Sequence, residues 1–205
     1  MISIQNKKNL IDFLYKSEAI TFSKDRNLES RPFTTNFKRL SSYPHMLRFT
    51  AQLLGDVLKK EVFDLLAGPI NDIPLATSVS LEFNWPMIFV RADRKDHGME
   101  RLIEGNFHSG QKVIVIDEEI TDVSETLRLL GRIEGSGLKV VGMYVLLDRN
   151  TGVKRLLANK GYNYFNLIDL NEIILHLTLQ GYIDDAKLVF LKKHISLRKD
   201  TSFNV

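Results

Sequence analysis

The sequence predicts an α/β fold with a central parallel sheet flanked by helices. Two observations predict it. Short β-rich runs alternate with amphipathic stretches of helical spacing, and each of the clearest strands is followed by a loop of turn or charged residues. A chain of 205 residues, 44% hydrophobic and 26% charged, buries most of its apolar surface without disulfides or structural metal, so one domain over 1–205 is expected.

In chain order, residues 1–40 mix polar and aromatic side chains with weak periodicity, which predicts a small N-terminal cap or hood over the sheet. A helix is predicted from Ser41-Ser42-Tyr43-Pro44, with serine as the cap, proline in the first turn, and Leu47, Leu54 and Leu58 on one face. Strands are predicted at 62–67, 87–90, 112–116 and 139–147. Trp85, just before Pro86, reads as packing at a strand entrance. Between the last two strands a helix runs from Ser124 towards Ile133, stopped by Gly135-Ser136-Gly137. Two consecutive helices follow at 169–179 and 184–194, joined by Gln180-Gly181, and 196–205 reads as a frayed tail. There is no internal repeat.

Composition excludes several function classes. With no cysteine there is no thiol nucleophile, thiolate-bound zinc, iron–sulfur cluster or disulfide framework. A net charge of +3 is too small to argue for nucleic acid. Lys187, Lys192, Lys193, Arg198 and Lys199 lack interleaved aromatic residues and read as a solvated face. The opening MISIQNKKNL turns polar too early for a signal peptide, and no apolar run reaches membrane-span length, so a cytoplasmic protein is expected. The five histidines show no paired helical spacing that suggests a metal site, so none is predicted; His45, His108, His176 and His194 read as surface or helix residues.

Open α/β sheets bind ligands at the carboxyl ends of their strands, so the segments after the strands are where chemistry is sought. In Val113-Ile114-Val115-Ile116-Asp117-Glu118-Glu119-Ile120-Thr121-Asp122-Val123-Ser124 an apolar strand ends in consecutive acids, and a threonine turn and a helix start follow. Acids there accept hydrogen bonds from sugar hydroxyls or hold a hydrated cation, and the helix start offers N–H groups to an anion. The same segment also reads as a solvated turn with an acidic helix cap. The stretch from Arg91 to Gly105 is too charged for core and too long for a tight turn, and its Lys95 and His97 suit neutralising a polyanion or moving a proton. On composition alone it also reads as a solvated charged loop.

Jointly these residues resemble the orotate phosphoribosyltransferase family. The resemblance rests on the loop order Arg-x-x-x-Lys-x-His-Gly with Leu102-Ile103-Glu104-Gly105, on the strand ending in acids and threonine, and on Leu147-Asp148-Arg149 with Gly152. Ser42-Tyr43-Pro44, Phe63-Asp64-Leu65-Leu66-Ala67-Gly68 and Ile73-Pro74-Leu75-Ala76-Thr77 support it, and it spans about residues 10–195. It implies a type I phosphoribosyltransferase fold and transfer of ribose 5-phosphate from phosphoribosyl pyrophosphate to orotate, with substrate-chelated Mg2+, in pyrimidine biosynthesis. The transition state is oxocarbenium-like, and a homodimer is implied because the loop closes over a neighbouring subunit's site. Carried over by position, Lys95, His97 and Arg91 match catalytic-loop residues. Lys24, Asp117, Glu118, Thr121 and Ser124 fall at the phosphoribosyl pyrophosphate site, and Thr34, Thr35, Thr121 and Arg149 at the orotate site.

The chain departs from the family pattern in its anion-binding turns. Thr121-Asp122-Val123-Ser124-Glu125 replaces a neutral, glycine-rich phosphate cradle, and Pro69-Ile70-Asn71-Asp72 replaces a Gly-Gly pyrophosphate turn. Ala92 replaces a lysine, Lys24-Asp25-Arg26 stands for Lys-Ser-Gly, and Glu119 takes an ordinarily apolar position. A left-handed non-glycine residue costs roughly 1–2 kcal/mol. A carboxylate about 4 Å from a phosphate charge adds about 4 kcal/mol of repulsion at an effective dielectric near 20. Unless Asp122 and Glu125 point away, the phosphate site is spoiled. Two functions are therefore expected to compete: a working orotate phosphoribosyltransferase, and a non-catalytic relative that keeps the fold as a regulatory or partner-binding module.

Overall fold

In the computed structural model, residues 2–23, 32–91, 102–149 and 152–201 are described. Helix α1 (Ile4–Lys16) is capped by the Ser3 side chain and leads into the two-stranded antiparallel pair β1 (Ile20–Phe22) and β2 (Phe33–Thr35). The N-terminal region thus carries a small sheet of its own. Leu10 and Leu14 of α1 and Phe22 and Phe33 of the strands are buried in the main core, and Lys7–Glu172 and Asp12–His176 contacts of 2.6 and 2.7 Å tie the hood down.

The next helix, α2 (Pro44–Leu58), begins later than the sequence suggested. Tyr43 is its cap, and Ser41 and Ser42 end a 3-10 turn over Phe37–Ser42. Phe37 and Leu40, three residues apart, are both buried, and a three-residue repeat suits a 3-10 turn. The following β3 (Leu65–Pro69) starts three residues after the expected position, because its pairing with the core strand begins at Leu65 and Val62 is exposed. A short 3-10 turn (Ile70–Asp72) then leads into α3 (Ile73–Phe83), β4 (Met87–Val90) and β5 (Ile103–Glu104). Trp85 stacks on Phe83, centroids 4.8 Å apart, and meets Phe63 edge-on, as its place before the strand predicted.

The chain continues through β6 (Lys112–Ile120), α4 (Val123–Gly135), β7 (Lys139–Asp148), α5 (Val153–Asn159), β8 (Asn163–Asp169), α6 (Leu170–Leu179) and α7 (Asp185–Thr201). The last helix runs into the segment expected to fray. His176, expected on the surface or a helix, lies in α6 and is buried beside Asp12. Among the described residues no helix is long and apolar enough to cross a membrane.

The sheet order is β5-β4-β3-β6-β7-β8, with every pairing parallel except β5 on β4. Two apolar layers cover it. Ile114, Ile116 and Leu146 pack under α2, α3 and α6, while Val113, Val115 and Val145 pack under α4 and α5. Gly142 lets β8 approach β7: a Cβ there would stand 2.6 Å from the Asn163 carbonyl oxygen.

The order of the strands places the site. From β3 the chain builds outward to β4 and then returns to lay β6 on the opposite side of β3, so the topology switches between β3 and β6. Pairing of β3 with β6 stops at Ala67–Val115, whereas β7 pairs with β6 as far as Ile120–Asp148. The carboxyl end of β6 is therefore held rigidly on one side and open on the other. The acids predicted to follow this strand lie within it, because β7 continues to satisfy their backbone groups.

Candidate active site

A cavity of about 530 Å³ opens at this switch point, lined among others by Asp72, Arg91, Asp117, Glu119, Thr121 and Asp122. Burial is the main reason that the Asp117 carboxyl is held well above its ordinary value, and the hydrogen bond and negative charge of Asp72 add to it. Glu118, itself buried, is pushed up to about 8 by burial and then by Asp72, with Lys38 of the hood pulling the other way. Both carboxyls are thus biased towards the protonated form, and Glu118 largely keeps its proton at neutral pH. A protonated carboxyl donates as well as accepts a hydrogen bond, which suits it to hydroxyl groups and adds no charge beside a polyanion.

The raised value sets a pH dependence of stability. Folded Glu118 keeps its proton up to about pH 8, while its ordinary value is 4.5. Its contribution is fully present below the ordinary value and is lost as pH rises to the folded one. Glu118→Gln, which imitates the protonated form, is expected to be more stable than the parent at pH 8.5, by up to about 5 kcal/mol, and to lose that advantage near pH 4.5. Urea unfolding midpoints across that range check this; a gap that does not change with pH contradicts it.

After β6 the turn is regular. Asp122 has φ −138° and its Oδ1 accepts from the backbone N–H of Ser124 at 2.6 Å and of Glu125 at 3.2 Å. No residue from Thr121 to Glu125 has positive φ, so the backbone strain expected of a non-glycine cradle is absent. Instead the acid reads as the alternative in the sequence had it, an N-cap. Asp122 does not point away: its carboxylate takes the N–H groups an anion would use. Glu125 lies 3.8 Å from Arg128, both well exposed.

A third cluster forms where β7 ends. Arg149 Nε donates to Glu119 Oε2 at 2.7 Å, and its Nη2 donates to Glu119 Oε1 at 2.8 Å and to Thr35 Oγ1 at 2.6 Å. Thr35 in turn donates to Glu119 Oε1 at 2.7 Å, and the guanidinium carbon stands 4.7 Å from the centroid of the Phe33 ring.

Of the residues singled out in the sequence, Asp117, Glu118, Thr121, Ser124, Thr35 and Arg149 come together at this edge of the sheet. Thr34 does not join them by its side chain, which shares a 2.7 Å hydrogen bond with Thr21 on the exposed face of the hood. Arg91 lines the cavity and pairs with Glu104 at 2.9 Å. Lys24, Lys95 and His97 lie outside the described residues. Asp72, Lys38 and Arg132 were not singled out as site residues. Asp72 was legible as an acid just beyond β3, Arg132 as the cavity-lining partner of Arg128 at helical spacing, and Lys38 carried no signal. Among the described residues no three His, Asp or Glu side chains converge as a metal site requires.

No family model matches the chain. It is 32% identical to the orotate phosphoribosyltransferase of Pyrococcus horikoshii over 141 residues, 67% of this chain and 76% of that one. It is also 32% identical to the bifunctional enzyme PyrF/PyrE of Nostoc sp. over 161 residues, 78% of this chain and 34% of that enzyme. Among solved structures, UMP synthase of Leishmania donovani superposes with a TM-score of 0.82 at 26% identity, covering 93% of this chain and 42% of that one. The chain thus spans less than half of either of the latter two. With the parallel sheet, the acids on β6 and Arg149 beside Thr35 in place, the similarity to the Pyrococcus enzyme over three quarters of its length establishes that this chain belongs to the orotate phosphoribosyltransferase family.

Proposed function

We propose that the chain is an orotate phosphoribosyltransferase, which moves ribose 5-phosphate from phosphoribosyl pyrophosphate to orotate. The observation that supports this best is the convergence of Asp117 and Glu118 on β6, and Thr121 just after it, with Arg149 and Thr35 at the carboxyl end of the sheet. In the reaction the bond from C1 of the ribose to pyrophosphate oxygen breaks and a bond from C1 to a ring nitrogen of orotate forms, while that nitrogen loses its proton. Asp117 and Glu118 hold the ribose hydroxyls, Arg149 faces the orotate carboxylate, and Lys95 and His97 stabilise the departing pyrophosphate. Magnesium arrives chelated by the cosubstrate and is part of it. The protein acts in the cytoplasm as a homodimer.

The non-catalytic reading is favoured by a different observation, the Asp122 carboxylate seated on the N–H groups of Ser124 and Glu125. A coupled assay for orotidine 5′-monophosphate with magnesium present separates the two. The parent chain is expected to form product, and Lys95→Ala to form it at least about 100-fold more slowly, the range over which a positioned charged group contributes. No product above that of Lys95→Ala ends the catalytic reading.

A further inference from the structure

Arg149 is engaged by this chain's own groups on its carboxylate-binding edge. Its Nε and Nη2 form a bidentate fork on Glu119, and the second hydrogen of Nη2 goes to Thr35. A guanidinium takes a carboxylate through two parallel N–H groups, and with both hydrogens of Nη2 used, neither edge that includes Nη2 is complete for a second carboxylate. The pair is well shielded, with side chains 16% and 20% exposed, and Phe33 covers the guanidinium plane. Glu119 also lines the cavity, on the same strand as Asp117.

We infer that Glu119 is a specificity-determining residue for the acceptor base: its carboxylate occupies the fork of Arg149, so a carboxylated pyrimidine must displace it and an uncharged one need not. This rests on the reading above that the base lies against Arg149. Glu119 thereby lowers the preference of the site for orotate over the same ring without its carboxylate. A like charge built into a site is a common means of discrimination, because it acts against one ligand and leaves another untouched.

The test is calorimetric titration of orotate and of uracil into the parent chain, Glu119→Gln and Glu119→Val. The glutamine keeps the shape and removes the charge; the valine removes the hydrogen bonds as well, should the amide still hold the fork. In at least one variant the dissociation constant for orotate is expected to fall by about tenfold or more, while that for uracil moves by less than about twofold. A merely structural ion pair would move both ligands alike. Equal changes for the two ligands, or no gain for orotate in either variant, overturn the inference. Binding needs no turnover, so its failure is distinct from failure of the proposed function. A chain that makes no product yet shows the orotate-selective gain keeps the inference, whereas turnover with an orotate KM unmoved by either variant overturns it and leaves the proposed function standing.

Discussion

Asp122→Gly is expected to bind inorganic phosphate at least about tenfold more tightly than the parent chain in low-salt calorimetry. In the parent, Asp122 Oδ1 sits 2.6 Å from the Ser124 nitrogen and 3.2 Å from that of Glu125, at the start of a helix of 13 residues. The helix N-terminus attracts anions, and here it already holds one. A phosphate approaching to about 4 Å of that carboxylate meets about 4 kcal/mol of repulsion at an effective dielectric near 20, a ceiling of about three decades in affinity. Asp122 is exposed, so screening reduces the effect, and tenfold is the lower bound expected. Glycine is itself an acceptable N-cap, so the helix should lose only about a few tenths of a kcal/mol. Equal phosphate affinity in the two chains would mean that Asp122 is no competitor at this turn.

Four of the six residues from Asp117 to Asp122 are acids, and the fold disposes of each differently. Burial beside Asp72 raises Asp117 and Glu118 towards the protonated form; Glu119 is paired with Arg149; Asp122 caps α4. With Glu118 largely protonated at neutral pH and Glu119 offset by Arg149, the segment is less negative than its sequence suggests. Its polar groups instead engage hood and helix, which brings the N-terminal region onto the site through Thr35 and Lys38.

Much of the fold was legible in local pattern. The strands at 87–90 and 139–147 and the helix stopped at Gly135 have clear periodicity or caps, and the sheet took the parallel form that alternation implies. Boundaries that depend on a partner were not legible: β6 runs four residues past its apolar stretch because β7 pairs with it as far as Asp148. In the site, the positions of Asp117, Thr121 and Arg149 followed from family spacing, whereas the direction of a side chain did not. The Asp122 carboxylate had two expected readings, phosphate repeller and helix cap, and they are one geometry, since the cap position is where the phosphate would sit. Glu119 was visible only as an acid in an apolar slot; its partner is 30 residues away, and Thr35 is 84 residues away.

Arg149→Met is expected to destabilise the fold by about 2–4 kcal/mol, because it strands the Glu119 carboxylate in a shielded position with only the Thr35 hydroxyl as donor. In a domain of this size that corresponds to a fall in melting temperature of roughly 5–12 °C. Glu119→Leu placed in the same chain should recover most of the loss, since a buried ion pair exchanged whole for apolar groups is often neutral, and a coupling energy of about 2 kcal/mol or more is expected from the double-mutant cycle. Additive losses would mean that the two side chains do not stabilise one another. The cycle also fixes what the ligand must overcome: the more strongly Glu119 and Arg149 are coupled, the larger the share of an acceptor's binding energy spent on parting them, and the more orotate affinity Glu119→Gln should release.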